Sequence, residues 1–262
     1  MQEESTFWKI SFSLVLITVM VAFAPARSFK DTQRRFPRVR AAYREKGAWL
    51  TARLAEKELK PGEIHILLRA FKKERTLEVW VRNGNQGTFS RLLNYSFCAF
   101  SGILGPKRRQ GDLQIPEGYY YIDRFNPWSN FHLSLGINYP NALDRIRATA
   151  RDPGGDIFIH GSCVTIGCIP LTDDKIKELY LFAVEARNNG QARIPVHIFP
   201  ARLSEENMEK LAAEYDFDPN LITFWKNLKK GYDHFEKTKT VPKVTVTRTG
   251  TYKYQSPGGD GG

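Results

Sequence analysis

The chain has 262 residues and carries 39 Lys and Arg against 28 Asp and Glu, a net charge of +11. That balance points to a polyanionic neighbour such as nucleic acid, membrane headgroups or an anionic wall polymer, or else to plain solubility. The basic residues are dispersed (Arg34, Arg35, Arg38, Arg40; Lys72, Lys73; Lys107, Arg108, Arg109; Lys229, Lys230), with no aromatic-basic stripe, which sets nucleic acid aside as a partner.

The N-terminus fixes the compartment. Ile10 to Ala24 is almost purely apolar, about the length of a signal-peptide core and short for a membrane span. Ala24-Pro25-Ala26 offers small residues for cleavage after Ala26. Counting Phe7 and Trp8 stretches the run to about 18, so an uncleaved signal anchor is the alternative. No Cys follows the run, which sets a lipoprotein aside. Either way residues 1–26 direct export to the periplasm or cell envelope, with inner-membrane attachment only if the segment is kept.

Residues 27–59 are charged and helix-prone, with Trp49, Leu50 and Leu54 as a partial apolar face; they read as a helical linker stopped by Pro61-Gly62. Glu63–Leu68 and Thr76–Val81 read as strands joined by a turn at 72–75. Leu92–Phe100, Gly118–Ile122, Phe131–Leu135 and Asp156–Ile159 are further strands, separated by stretches rich in Gly, Pro and Asn. A helix is predicted over Thr172–Asn188, capped by Thr172 and stopped by Asn189-Gly190, followed by a strand at Arg193–Phe199. Ser204–Tyr215 and Pro219–Lys230 read as helices, a helical extension over 204–237. The Thr/Lys-rich tail, 238–262, reads as disordered. Six or more strands with few helices between them predict a mainly β catalytic core.

The chemistry concentrates in Ile159-His160-Gly161-Ser162-Cys163-Val164-Thr165-Ile166-Gly167-Cys168-Ile169-Pro170. A His ends a strand, and a Cys lies eight residues on in a glycine-bearing turn before a helix. The imidazole can take the thiol proton, a helix N-terminus can favour the thiolate, and the Gly lets a backbone N–H approach a carbonyl. Three cysteines in an exported chain leave at least one unpaired. Cys98 sits in an apolar strand-like run and reads as a buried core thiol. Cys163 and Cys168 can pair as a disulfide that consumes the nucleophile. A zinc site from His160, Cys163 and Cys168 has only three ligands and no Cys-x-x-Cys knuckle, so no metal and no cofactor is expected. Asp173 reads as a cap of the following helix.

His160-Gly161 followed by Thr165-Ile166-Gly167-Cys168-Ile169 resembles the signature of L,D-transpeptidase (YkuD-type) catalytic domains. Two further blocks support the resemblance in the right order. Gly111–Tyr120 resembles the family's Thr-Pro-x-Gly-aromatic strand, and Asn138-Tyr139-Pro140-Asn141-Ala142-Leu143-Asp144-Arg145 resembles the YafK-type murein branch. It covers residues 60–203. What it implies is a β-sandwich catalytic domain with peripheral helices, with Cys168 as nucleophile, His160 as base and the Gly161 carbonyl orienting the imidazole. It also implies backbone N–H groups of Gly167 and Cys168 at the oxyanion, and the peptide stems of peptidoglycan as substrate. The thiolate attacks the carbonyl on the L-centre of a diamino acid and expels its D-amino-acid neighbour. An amine or water then resolves the thioester.

The chain departs from the family where many members carry an Arg two residues after the Cys; here that position is Pro170. Arg145, the basic residue of the third block, is a substitute, with Thr165 and Tyr139 as further substrate contacts. Tyr139 and Trp128 are read either as groove-lining or as loop-packing aromatics. The reading is thus a monomeric, exported cysteine acyl-transferase. A hydrolase of wall-attached peptides or proteins and a non-catalytic wall-binding protein are the alternatives.

Overall fold

The strand Ile64–Phe71 (β1) is buried at every residue. An antiparallel strand with one wet face would alternate, so both faces of its sheet are covered. The computed structural model describes residues 27–255. The expected leader or anchor at 1–26 lies outside the described residues, as do 256–262. Among the described residues no helix is long and apolar enough to cross a membrane.

The chain opens with Phe29–Arg34 (α1) and Pro37–Ala55 (α2). The break falls at Phe36-Pro37, because proline is tolerated in a helix's first turn but not in its interior. After β1 come Thr76–Asn83 (β2), Ser90–Ser96 (β3), Gly118–Asn126 (β4), Ser134–Ile137 (β5), Ala142–Arg147 (α3), Phe158–His160 (β6) and Ile169–Pro170 (β7). Asp173–Asn188 (α4), Ile194–Phe199 (β8), Glu205–Glu214 (α5), Pro219–Thr238 (α6), Val244–Val246 (β9) and Tyr252–Tyr254 (β10) complete it. The strand-dominated core expected from the sequence is present as one eight-stranded sheet in the order β3-β2-β1-β8-β4-β5-β6-β7. The pairs β1–β8 and β6–β7 are parallel and the others antiparallel.

On one face Ile64, Ile66, Leu68, Val79, Val196 and Ile198 pack against α4, ten of whose residues are buried, with α1 and α2 outside it. On the other face Phe71, Tyr119 and Phe199 meet Trp225, Leu228 and Tyr232 of α6, while Leu67 and Trp80 meet Phe235. Two expectations are corrected here. Residues 27–59 are helical but are not a free linker: Val39, Ala42, Leu50 and Leu54 are buried against the core. Residues 244–254 are not disordered. Val244, Val246, Tyr252 and Tyr254 alternate with polar residues and form the β9–β10 hairpin, whose Tyr252 hydroxyl accepts from the Tyr119 N–H at 3.2 Å. The helix at Pro219 also runs eight residues past its predicted end, carried by the apolar face of Tyr232 and Phe235.

Candidate active site

Strand register builds the site. Across β4, β5, β6 and β7, Asn126, Ser134, His160 and Pro170 stand opposite one another, as do Phe125, Leu135, Ile159 and Ile169 one step along, save that Phe125 is only half-buried. Side chains alternate along a strand. Leu135, Ile159 and Ile169 therefore face the core, fully buried, while Asn126, Ser134 and His160 face a cleft of about 570 Å³. One step further, Phe158 lies beside Cys168, and both line the same cleft. His160 and Cys168 thus reach one face because two short strands run parallel, with the loop 161–168 making the return.

His160 is buried and tilted against the Phe131 ring, with centroids 4.8 Å apart. Its Nδ1 lies 2.5 Å from the Gly161 carbonyl oxygen. The tautomer with a proton on Nδ1 donates there and leaves the Nε2 lone pair free. Burial pulls the imidazole pKa below its ordinary value, and the Gly161 carbonyl partly restores it. Glycine is required at 161 by close approach: a Cβ would stand 2.7 Å from Asp173 Oδ1 and 2.9 Å from both Ile176 Cγ2 and the Phe131 carbonyl oxygen.

Cys168 is the one free cysteine among the described residues. Its Sγ accepts from the Phe158 N–H at 3.4 Å and faces the Asp156 carbonyl at 3.7 Å. Burial pushes the thiol pKa up; the Phe158 N–H pulls it the other way. The helix-terminus contribution expected from the sequence is absent, since β7 and Leu171-Thr172 separate Cys168 from α4. Both shifts favour the neutral forms, a protonated thiol and an uncharged imidazole, in one cleft lining.

The structure rearranges several expected site residues. Thr165 lines the cleft, but its Oγ1 accepts from the amides of Gly167 (3.2 Å) and Cys168 (2.9 Å) and donates to the Cys168 carbonyl (2.9 Å). The two amides expected at an oxyanion are thus held inside the turn. Gly167 has φ +133°, and a Cβ would meet the Gln114 carbonyl at 2.9 Å. Tyr139 is not a groove aromatic: it is buried beside Tyr120, and its hydroxyl donates to the Pro153 carbonyl at 2.9 Å. Arg145 lies exposed on α3, outside the cleft lining, because that short helix packs towards the β9–β10 hairpin around Gly250. Its neighbour Asp144 closes the capping box of α3 with Asn141 and accepts from the Tyr120 hydroxyl. Trp128 is exposed, edge-on to Phe36.

The cysteine pairing is also corrected. Cys98 is joined to Cys163, with Cα atoms 5.2 Å apart, so neither a buried Cys98 thiol nor a Cys163–Cys168 bond exists here. The strand expected to carry Cys98 ends at Ser96, and the Cys98 N–H beyond it donates to the Pro170 carbonyl at 3.1 Å, which brings it to the site loop. Cys163 sulfur is thereby also removed from any ligand set with His160.

Sequence reasoning gave Asp173 only a capping role and passed over Asp156 and Phe131. Thr172 is the cap of α4. Asp173 Oδ1 instead accepts from the Ser162 N–H at 2.8 Å, holding Ser162 at φ +67° directly after His160-Gly161. An acidic residue one position past a clear N-cap was the available signal.

Residues 66–198 match the L,D-transpeptidase catalytic domain family, YkuD. The chain is 39% identical over 194 residues to a protein of Escherichia coli (strain K12) described as "Putative L,D-transpeptidase YafK", covering 73% of this chain and 74% of that one. The Escherichia coli O157:H7 protein of the same description matches equally. Among solved structures, the helical cell shape determining protein Pgp2 from Campylobacter jejuni aligns at 18% identity and TM-score 0.42, over 76% of this chain and 80% of that one. On the family match and the YafK identity, the chain belongs to the L,D-transpeptidase catalytic-domain family.

Proposed function

We propose that the protein is an exported cysteine acyl-transferase acting on the peptide stems of peptidoglycan through a thioester on Cys168. The observation that carries this reading is the convergence of Cys168 and His160 on one cleft, with Nδ1 of His160 occupied by the Gly161 carbonyl. That bond leaves Nε2 as the only basic atom of the ring. A base needs no charge partner to start from a neutral thiol: His160 takes the Sγ proton as sulfur attacks the stem carbonyl. The attack forms an S–C bond and places negative charge on the carbonyl oxygen. The nearest backbone donors to that oxygen are the amides of Gly167 and Cys168, which share their hydrogens with Thr165 Oγ1 at rest. Collapse breaks the C–N bond, and the imidazolium returns its proton to the leaving amine. In the second half the incoming nucleophile loses its proton to His160 and expels the thiolate, which recovers a proton.

An amine in the second half gives a cross-link, and water gives a shortened stem. Incubation of purified protein with muropeptides, read by mass spectrometry, separates exchange, cross-linking and trimming. Activity in the wild type and none in Cys168→Ala is the expected result. Equal processing by both proteins would refute the nucleophile, and no processing by either would favour the non-catalytic wall-binding alternative.

A further inference from the structure

A cation stands on the same sheet face as the thiol, and a fault in strand pairing puts it there. Along β4 the register to β5 shifts between Ile122 and Arg124: Ile122 pairs with Ile137, and Arg124 with Gly136. Ile122 is buried in the core. Without the shift, residue 124, two positions on, would face the core as well. The bulge at Asp123 turns Arg124 to the sheet face that carries the thiol, at the rim of the cleft and outside its lining, a re-aiming that bulges perform beside functional sites. The row across the sheet is then Arg124, Gly136, Phe158 and Cys168.

Gly136 lets the arginine use this position. A Cβ there would stand 2.9 Å from Arg124 Nε, so the side chain lies flat over the glycine towards the thiol. Its guanidinium covers the Phe158 ring at 4.8 Å. Nη1 donates to Asp156 Oδ1 at 2.8 Å, and Nε to Asp123 Oδ1 at 3.2 Å. Three of the five guanidinium hydrogens are left for a further acceptor. Asp156 in turn is the only carboxylate among the residues lining the cleft, and its own carbonyl faces the Cys168 thiol. Its side chain is 82% exposed and its φ is +54°, so the carboxylate projects from a left-handed turn into solvent beside the reacting atom.

An exposed ion pair of this kind adds little to stability. It does present a positive group over the Phe158 ring at the cleft rim and a negative group in the cleft lining, on the thiol's side of the sheet. We infer that Arg124 and Asp156 form the subsite for the distal end of the stem's diamino acid, and that they select a distal carbon bearing both a carboxylate and an ammonium. Arg124 takes the carboxylate and Asp156 the ammonium, so the substrate's pair of charges replaces the protein's own. A stem whose diamino acid ends in an ammonium alone leaves Arg124 unmatched. The assignment rests on the proposed action on peptide stems and supplies the cation that neither Pro170 nor Arg145 provides.

The test compares three synthetic stems, carrying diaminopimelate, distally amidated diaminopimelate or lysine, with wild type, Arg124→Gln and Asp156→Asn. Turnover is followed in these proteins, and binding is followed by calorimetry in the same set on a Cys168→Ala background. The wild type should prefer the diaminopimelate stem about tenfold or more in kcat/KM, mostly through KM. Arg124→Gln should collapse the preference over the amidated stem, and Asp156→Asn should weaken binding of all three stems, each of which keeps a distal ammonium. Turnover without discrimination among stems, or an equal loss by Arg124→Gln on all three, would overturn the subsite while leaving the action on stems intact. Neither turnover nor binding of any stem would overturn that action and the subsite with it. Thermal unfolding of both variants within about 3 °C of wild type separates a binding loss from a folding one, since surface substitutions cost little.

Discussion

Cys98 is bonded to Cys163, 65 positions away, and this bond fastens the loop between His160 and Cys168 to the end of β3. The loop carries the Thr165 turn that holds the Cys168 amide. Oxidation therefore secures the candidate site, whereas a Cys163–Cys168 bond would have blocked it. Alkylation under denaturing conditions should label one cysteine, Cys168, without reductant and all three after dithiothreitol, read by peptide mass. Diamide should cause no intramolecular loss of activity. Labelling of Cys98 without reductant would contradict the pairing.

The neutral resting pair has its own signature. Burial holds the Cys168 thiol above its ordinary value and the His160 imidazole below its own, so no imidazolium is present to stabilise a thiolate. Iodoacetamide alkylation of the native protein, which reads the thiolate, should reach half-rate above about pH 8.5, the unperturbed thiol value. His160→Gln should leave that midpoint nearly in place while slowing turnover about 100-fold or more. A midpoint near neutrality that rises in His160→Gln would show an ion pair instead.

Gly161→Ala tests the packing behind the base. The added methyl meets a carboxylate oxygen, a methyl group and a backbone carbonyl, all within 2.9 Å, and two of the three belong to α4 or its first turn. Overpacking of this kind costs about 1–3 kcal/mol. A lower Tm is expected together with a loss of turnover, because the same shift moves the carbonyl that orients His160. Unchanged Tm and activity would remove the argument for glycine at this position.

Much of this site was legible because its chemistry is local. His160, Gly161, Gly167 and Cys168 lie within nine positions, and two short strands bring their ends together. A motif block places residues in order but not on a face: Arg145 lies on a helix outside the cleft lining, and of the two readings of Tyr139 the packing one holds, since it is buried in the core. Arg124 was invisible for the same reason, since only the bulge at Asp123 decides which way it points. The Cys98–Cys163 bond depends on where β3 ends, and the apolar run Tyr95–Phe100 hides that end. The hairpin at 244–254 hides in a Thr/Lys-rich composition that masks a two-residue alternation of Val and Tyr.

Stability should fall on acidification. His197 is fully buried between β1 and β4, its ring 4.8 Å from that of Tyr119, its Nδ1 without a hydrogen-bond partner and Arg69 nearby. Burial, and secondarily Arg69, hold its pKa well below the ordinary value. The unfolded chain binds a proton near pH 6.5 that the folded chain refuses. The contribution is thus complete above that pH and is lost below it at about 1.4 kcal/mol per pH unit. His65, His132 and His160 shift the same way. Asp144 opposes them: burial raises it to about 6, so its contribution is lost as pH rises through that value. Urea midpoints should fall between pH 7.5 and 5, with a shallower fall in His197→Leu. Equal slopes in the two proteins would contradict the assignment.

The central claim is a covalent acyl intermediate on Cys168, and trapping it is the most direct measurement. Wild-type protein is mixed with a diaminopimelate-bearing tetrapeptide stem, quenched in acid within the first turnovers and mapped by peptide mass spectrometry. The account predicts an adduct on the peptide holding Cys168, adding the mass of the stem less that of the free terminal D-amino acid it expels. The adduct should be labile to hydroxylamine and absent from Cys168→Ala. Stem processing with no such adduct on Cys168, or an adduct on another residue, would contradict it.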